Sequence, residues 1–224
     1  MSMIKLFVPV SLFFITPCVM ADINQDVLNL QHEWAQANYN LHGKQQDKAF
    51  KNLINRADNV VKTYPDRAES WIWRGIIKSS YAGIEGGLGA LSLAKASKKD
   101  LEKALSINDK ALSGSAYTSL GALYFKVPGW PIGFGDDDKA ETMLKKALAM
   151  NPDGIDSNFF YAEYLEDEGQ YKKAEQYLLK AQQAPARPQR PLADKGRHHE
   201  IQVELKKVKA KLEIKTTSNA NFIN

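Results

Sequence analysis

Few residues in this chain have types and spacings that could do chemistry, and each set also has a plain structural explanation. The four histidines, His32, His42, His198 and His199, stand in no arrangement with a serine and an acid that matches a hydrolase template. His198-His199-Glu200 could offer two metal ligands, but neighbours on a helix point about 100° apart. No third and fourth ligand is evident, so no metal site and no cofactor are expected. The acids Asp136-Asp137-Asp138 could face a cation or a cationic partner group, although consecutive carboxylates splay apart and calcium would need further loop oxygens. As an N-cap followed by two acids in a first helical turn, they are explained by backbone N–H groups and the helix dipole alone. The glycine-rich run from Ala82 to Gly89 invites a phosphate-binding reading. It fails because no strand precedes it, no Gly-Lys-Ser/Thr closes it and the dinucleotide spacing is not met. No catalytic residues are assigned, and an enzyme is not expected.

Specificity is then a matter for loops and charge. The stretch from Phe125 to Glu141 places glycines, prolines, aromatics and three acids between two helical segments. Trp130, Ile132 and Phe134 can pack under neighbouring helices, or stay accessible as the apolar part of a binding surface beside Asp136 and Asp137. Gly86 and Gly87 lie in the other glycine-rich stretch and join them as candidate partner-binding positions. Arg187, Arg190 and Arg197 form a basic segment. Its first two arginines are expected to pair with acids such as Glu163 or Glu166, with an anionic ligand as the alternative.

At 224 residues, with 44% hydrophobic and 25% charged residues, the chain has the composition of a soluble globular protein or a short repeat array. Residues 1–21 read as a cleaved signal peptide: Lys5 gives the positive end, Leu6 to Ile15 the apolar stretch, and Val19-Met20-Ala21 the cleavage pattern. The apolar run is short for a membrane span and is broken by Pro9 and Pro17. Cys18 leaves a lipoprotein as the minor alternative. Cleavage after Ala21 would remove the single cysteine, which suits an oxidising periplasm. From Arg187 onward the chain carries a net +5, while residues 22–186 are near −2. Export argues against nucleic acid as the partner of this basic end, and a solvated helix face accounts for it.

Helical periodicity dominates after Asp22. Val27, Leu30, Trp34, Ala37 and Leu41 mark one buried stripe ended by Gly43. Phe50, Leu53, Ile54, Ala57, Val60 and Val61 mark a second, begun near Gln46 and stopped at Tyr64-Pro65. The expected organisation is a helical hairpin over 22–66, repeats over 67–186 with two glycine-rich loop insertions, an extended linker and capping helix over 187–213, and a disordered tail over 214–224.

The repeats show in three helix ends: Leu101-Glu-Lys-Ala-Leu-Ser-Ile-Asn, Leu144-Lys-Lys-Ala-Leu-Ala-Met-Asn and Leu178-Leu-Lys-Ala-Gln-Gln-Ala-Pro. Their alanines, 104, 147 and 181, are 43 and 34 residues apart. Upstream, Leu120-Gly121, Tyr124, Ala140 and Leu144 in one unit match Tyr161-Ala162, Leu165, Ala174 and Leu178 in the next. Small residues let two helices approach and large ones fill the groove between pairs. On these residues the chain resembles the tetratricopeptide repeat family, with Trp71 and Gly75 a weaker version of the signature. The resemblance implies an all-α, right-handed superhelical array of about four helix pairs with a C-terminal capping helix. Two units exceed the regular spacing, by ten residues after Gly75 and seven after Gly121, and equivalent insertions should emerge on one edge.

GGLGALSLAKASKKDLEKAL and VPGWPIGFGDDDKAETMLKKALAMNPDGIDSNFFYAEYL are similar to the TatT group of periplasmic repeat proteins. That group is associated with tripartite (TRAP) solute transporters. The resemblance implies a transporter-accessory or protein-binding role with a periplasmic solute-binding protein as partner, and a homotrimer. A small-molecule or lipid-handling binding protein is the alternative.

Overall fold

The computed structural model describes residues 22–221, with side chains to residue 215; the expected signal peptide and Cys18 lie outside them. The helices are α1 (Ile23–Tyr39), α2 (Gly43–Thr63), α3 (Ala68–Glu85), α4 (Gly87–Ile107), α5 (Ser115–Lys126), α6 (Asp137–Met150), α7 (Ile155–Asp167), α8 (Tyr171–Gln182) and α9 (Pro191–Asn221), with a 3-10 turn at Ala111–Gly114. Among the described residues the only β pairing is an isolated bridge between Gly129 and Gly135. The expected all-α helical repeat is the fold observed.

Caps and turns set the helix limits. Asp22 accepts a hydrogen bond from the Asn24 amide at the start of α1, and α2 ends before Tyr64-Pro65 as expected. Gly43 begins α2 rather than ending α1, which stops at Tyr39; its φ of 56° is the left-handed turn between the two helices.

Within each pair the small residues sit where the helices touch. A Cβ on Gly75 would come 2.8 Å from Leu101 Cγ, and one on Gly121 would come 2.5 Å from Leu144 Cγ. Between α7 and α8, which pack together, the equivalent residues Ala162, Ala174 and Leu178 are all buried in the same core cluster. Polar side chains tie α3 to α4 as well: Ser97 Oγ donates to the Gly75 carbonyl at 2.7 Å, and buried Asp100 accepts from Arg74 and Lys78.

The glycine-rich insertion after Gly75 is not a loop. α3 continues through Gly83 to Glu85, Gly86 alone breaks the helix at φ 70°, and α4 resumes at Gly87. Each mid-helix glycine costs about 1 kcal/mol, yet here packing overrides propensity. Ala82 and Ala94 are buried, and the single Tyr81 O–H lies within hydrogen-bond reach of carboxylates from Asp47 of α2 and Glu85 of its own helix. The ten extra residues therefore lengthen a helical hairpin.

The last helix shapes the molecule. The odd-numbered helices touch in series, α1 to α3, α3 to α5, α5 to α7 and α7 to α9, and α9 also touches α1. The expected capping role against α8 is present, but α9 additionally closes the inner row into a ring. The closing contact is tight: Gly196 lies where a Cβ would be 2.5 Å from the Tyr39 ring, and His32 Nε2 donates to the Gln189 carbonyl at 2.6 Å. Residues 214–221, expected to be unstructured, continue α9.

Candidate functional site

The ring encloses a groove of ≈ 1380 Å³ walled by α1, α3, α4, α5, α7, α9 and the segments joining them. Ligand pockets usually span about 300–1,000 Å³, so this one has room for an elongated molecule. Much of the wall is apolar, including Trp34, Trp73, Leu91, Leu123 and Phe159, while Ser79, Ser80, Ser115 and Ser119 supply hydroxyls. Leu112 and Ser113, also on the wall, take left-handed φ values of 48° and 54°. Such conformations cost about 1–3 kcal/mol each in non-glycine residues and cluster at working sites.

The basic segment lies on this wall, but its partners are not Glu163 and Glu166. Those acids are held by Lys126 and Lys207 instead. Asp156, in the first turn of α7, is the shared acceptor: Arg187 Nη1 donates to one oxygen at 2.6 Å and Arg197 Nε to the other at 2.9 Å. Arg187 also binds Asp194 at 2.6 Å, and Arg197 binds Glu200 at 2.6 Å while covering Phe159 and Phe160 at 4.4 and 4.8 Å. Burial raises the pKa of Asp156, but the charges of Arg197, Arg187 and Arg190 outweigh it and hold the carboxyl well below its ordinary range. The same network pins α9 to α7, since Arg197 and Asp156 are 41 residues apart.

Arg190 differs. Its guanidinium stacks over Trp73 at 5.1 Å and, among the described residues, has no carboxylate partner. Burial and the neighbouring Arg187 charge lower its pKa to about 10. Its Nε and the Trp73 Nε1 are both buried donors without an acceptor.

The loop after α5 divides its residues. Gly133 and Gly135 allow the chain to fold on itself: a Cβ at either would fall 2.3 Å from the Pro128 carbonyl oxygen or 1.9 Å from that of Val127. Amides of Gly133 and Gly135 donate to Gly129 and Pro128, and the Trp130–Pro131 peptide is cis. This compact turn leaves Trp130 89% exposed and Ile132 68% exposed, whereas Phe134 packs edge-on against Tyr124 at 5.9 Å. Leu88, next to Gly87 and not among the residues its sequence context singles out, is 89% exposed. Gly87, Leu88, Ile132 and the three arginines line the groove; Gly86, Trp130, Phe134, Asp136 and Asp137 do not.

Asp136 is the N-cap of α6, accepting from the Lys139 amide at 3.0 Å and pairing with its ammonium, while Asp137 and Asp138 are exposed first-turn acids. Replacing Asp136 with alanine is expected to lower the melting temperature by a few degrees. Asp137→Ala should leave it nearly unchanged, and thermal denaturation of both variants checks this.

Among the described residues no three His, Cys, Asp or Glu side chains are grouped to hold a metal ion, and no helix is long and apolar enough to cross a membrane. Asp156 and Asp194 were missed in the sequence because a lone acid in a first helical turn looks like a dipole partner. Only their arginine neighbours hinted at them.

The fold is an all-α helical repeat of the tetratricopeptide type. The chain superposes on the crystal structure of TTC0263, a thermophilic tetratricopeptide repeat protein of Thermus thermophilus, with a TM-score of 0.52 and 15% identity over 81% of this chain and 100% of that one. Two crystal structures of MamA overlap it with TM-scores of 0.43, at 21% and 19% identity, covering 78% and 86% of this chain and 95% and 96% of theirs. No protein-family model and no curated protein matches the chain.

Proposed function

We propose that the chain is an exported, non-enzymatic binding module of the cell envelope that holds an elongated, largely apolar ligand inside its helical ring. The observation that carries this is the closure of α9 on α1, which turns the open concave face of a repeat array into a walled groove of ≈ 1380 Å³. A groove with apolar walls and a few polar groups at fixed places is the usual form of a small-molecule site. The periplasm is the proposed location, through the leader in residues 1–21.

Titration with the neutral fluorophore N-phenyl-1-naphthylamine tests the groove. Micromolar binding is expected for the mature protein, and at least tenfold weaker binding for Ser119→Trp, which fills the groove from α5. Equal binding by a folded Ser119→Trp protein would place the ligand elsewhere.

A second reading is favoured by the exposed Leu88, Trp130 and Ile132. Large apolar side chains on the surface, tryptophan above all, are the anchors of protein partners. With the TatT resemblance, the partner class would be a periplasmic solute-binding protein of a TRAP transporter, and the assembly a trimer. Trp130→Ala with Ile132→Ala should change stability by less than about 0.5 kcal/mol but remove partners captured from envelope extract by the unaltered protein. Unchanged capture would sink this reading, and a monomer on sizing at micromolar concentration would count against the trimer.

A further inference from the structure

The Arg190 wall of the groove is built differently from the rest of the basic segment. Arg187 and Arg197 each have two carboxylates. Arg190, between them in sequence, has none among the described residues, although its Nε is fully buried. Desolvating a guanidinium with no carboxylate in contact is unfavourable; Asp156 and Asp194 act on it only through space, and burial with the Arg187 charge outweighs them. Trp73 adds a second donor at the same place, an indole N–H that is buried and has no acceptor. Both donors lack an acceptor, one of them is cationic, and they belong to side chains stacked at 5.1 Å; an oxyanion is the kind of acceptor such a pair calls for.

The surroundings suit the rest of such a ligand. Trp73 and Arg190 lie on the groove wall together with Leu91, Ala94, Leu123 and Val127, which offer aliphatic surface and no charge. Leu88 and Ile132, largely exposed, belong to the same groove and extend its apolar lining to solvent. Unpartnered donors and apolar surface in one groove describe the complement of an anionic amphiphile.

Resting on the groove reading above, we propose that Arg190, stacked on Trp73, seats the anionic head of a single-chain amphiphile, a carboxylate or a phosphate monoester, whose hydrocarbon tail occupies the groove. Arg187 and Arg197 are positioning residues. Their pairs with Asp156, Asp194 and Glu200 hold the Arg187–Arg190 segment against the start of α7 and occupy their own donors, leaving Arg190 as the arginine of the segment with no carboxylate in contact.

Calorimetric titration of the mature protein with four twelve-carbon probes below their micelle concentrations tests this: dodecanoate, dodecyl phosphate, dodecanol and dodecyltrimethylammonium. Dodecanoate or dodecyl phosphate should bind roughly tenfold or more tighter than dodecanol, as a charge-assisted hydrogen bond in a buried site would give, and the trimethylammonium probe should bind weakest. Whichever anion is tighter identifies the head group as carboxylate or phosphate. In Arg190→Met, which keeps a long side chain over Trp73, the anion-to-dodecanol affinity ratio should fall to about one. Arg190→Lys should keep part of the preference, and Trp73→Phe should reduce it through the lost N–H. A wild-type ratio near one, or a ratio unchanged in folded Arg190→Met, overturns the anion seat while leaving the groove reading intact. Binding of none of the four probes, dodecanol included, overturns both.

Discussion

Replacement of Asp156 by alanine is expected to destabilise the protein by about 2–3 kcal/mol, the lower part of the range for removing one partner of a buried ion pair. The discount reflects a side chain one third exposed. In a chain of this size that lowers the melting temperature by roughly 5–10 °C. The effect is large because one carboxylate holds two arginines, and its loss leaves Arg187, Arg190 and Arg197 facing one another between α7 and α9. Arg187 keeps Asp194 and Arg197 keeps Glu200, so the helices should stay formed while the ring loosens. The pH dependence has a definite sign. The folded-state pKa of Asp156 lies below its unfolded value, so its contribution is complete above the ordinary carboxylate pKa of about 4 and is lost as pH falls toward the depressed folded value. Melting curves of wild type and Asp156→Asn should differ most at neutral pH and converge below about pH 4. A gap that persists undiminished at low pH would show that Asp156 acts by packing rather than charge.

Gly121→Val is expected to cost about 3 kcal/mol, at the upper end for overpacking. The added Cβ would meet Leu144 Cγ at 2.5 Å and the Leu144 amide nitrogen at 3.2 Å, so both the side chain and the backbone of α6 would have to move. Leu144 is fully buried and has nowhere to swing. Relief should come from the partner: Gly121→Val with Leu144→Ala should be more stable than the sum of the single costs by at least about 1 kcal/mol, since the sites share one contact. Denaturant unfolding of the four proteins measures this, and strict additivity would refute the close-approach explanation.

The same contact explains why so much of the fold is legible in the sequence. Gly121 with Leu144, Gly75 with Leu101, and Ala162 with Ala174 and Leu178 follow from spacings within single units, and apart from the closure of α9 on α1 the packing runs between successive units. Helix stops at Tyr64-Pro65 and the start of α6 at Asp136 depend on residues a few positions apart. The glycine-rich stretch around Gly83 misleads because its helices are held by Tyr81, Ala82 and Ala94 through packing on α2 and along α3 and α4. Those contacts override the local cost of glycine.

What the sequence determined by itself is therefore the all-α class, the repeat register, the close contacts within each pair, the Asp136 cap and the basic character of residues 187–197. Tertiary structure alone decided that α9 returns to α1, that Asp156 rather than Glu163 or Glu166 collects the arginines, that Arg190 is left without a carboxylate, and that Trp130 and Ile132 face solvent while Phe134 packs. The physical reason is range. Helix pairing is settled between near neighbours, whereas ring closure sums a small rotation over every repeat, and the contacts it creates, such as Gly196 on Tyr39, join residues that no local pattern relates.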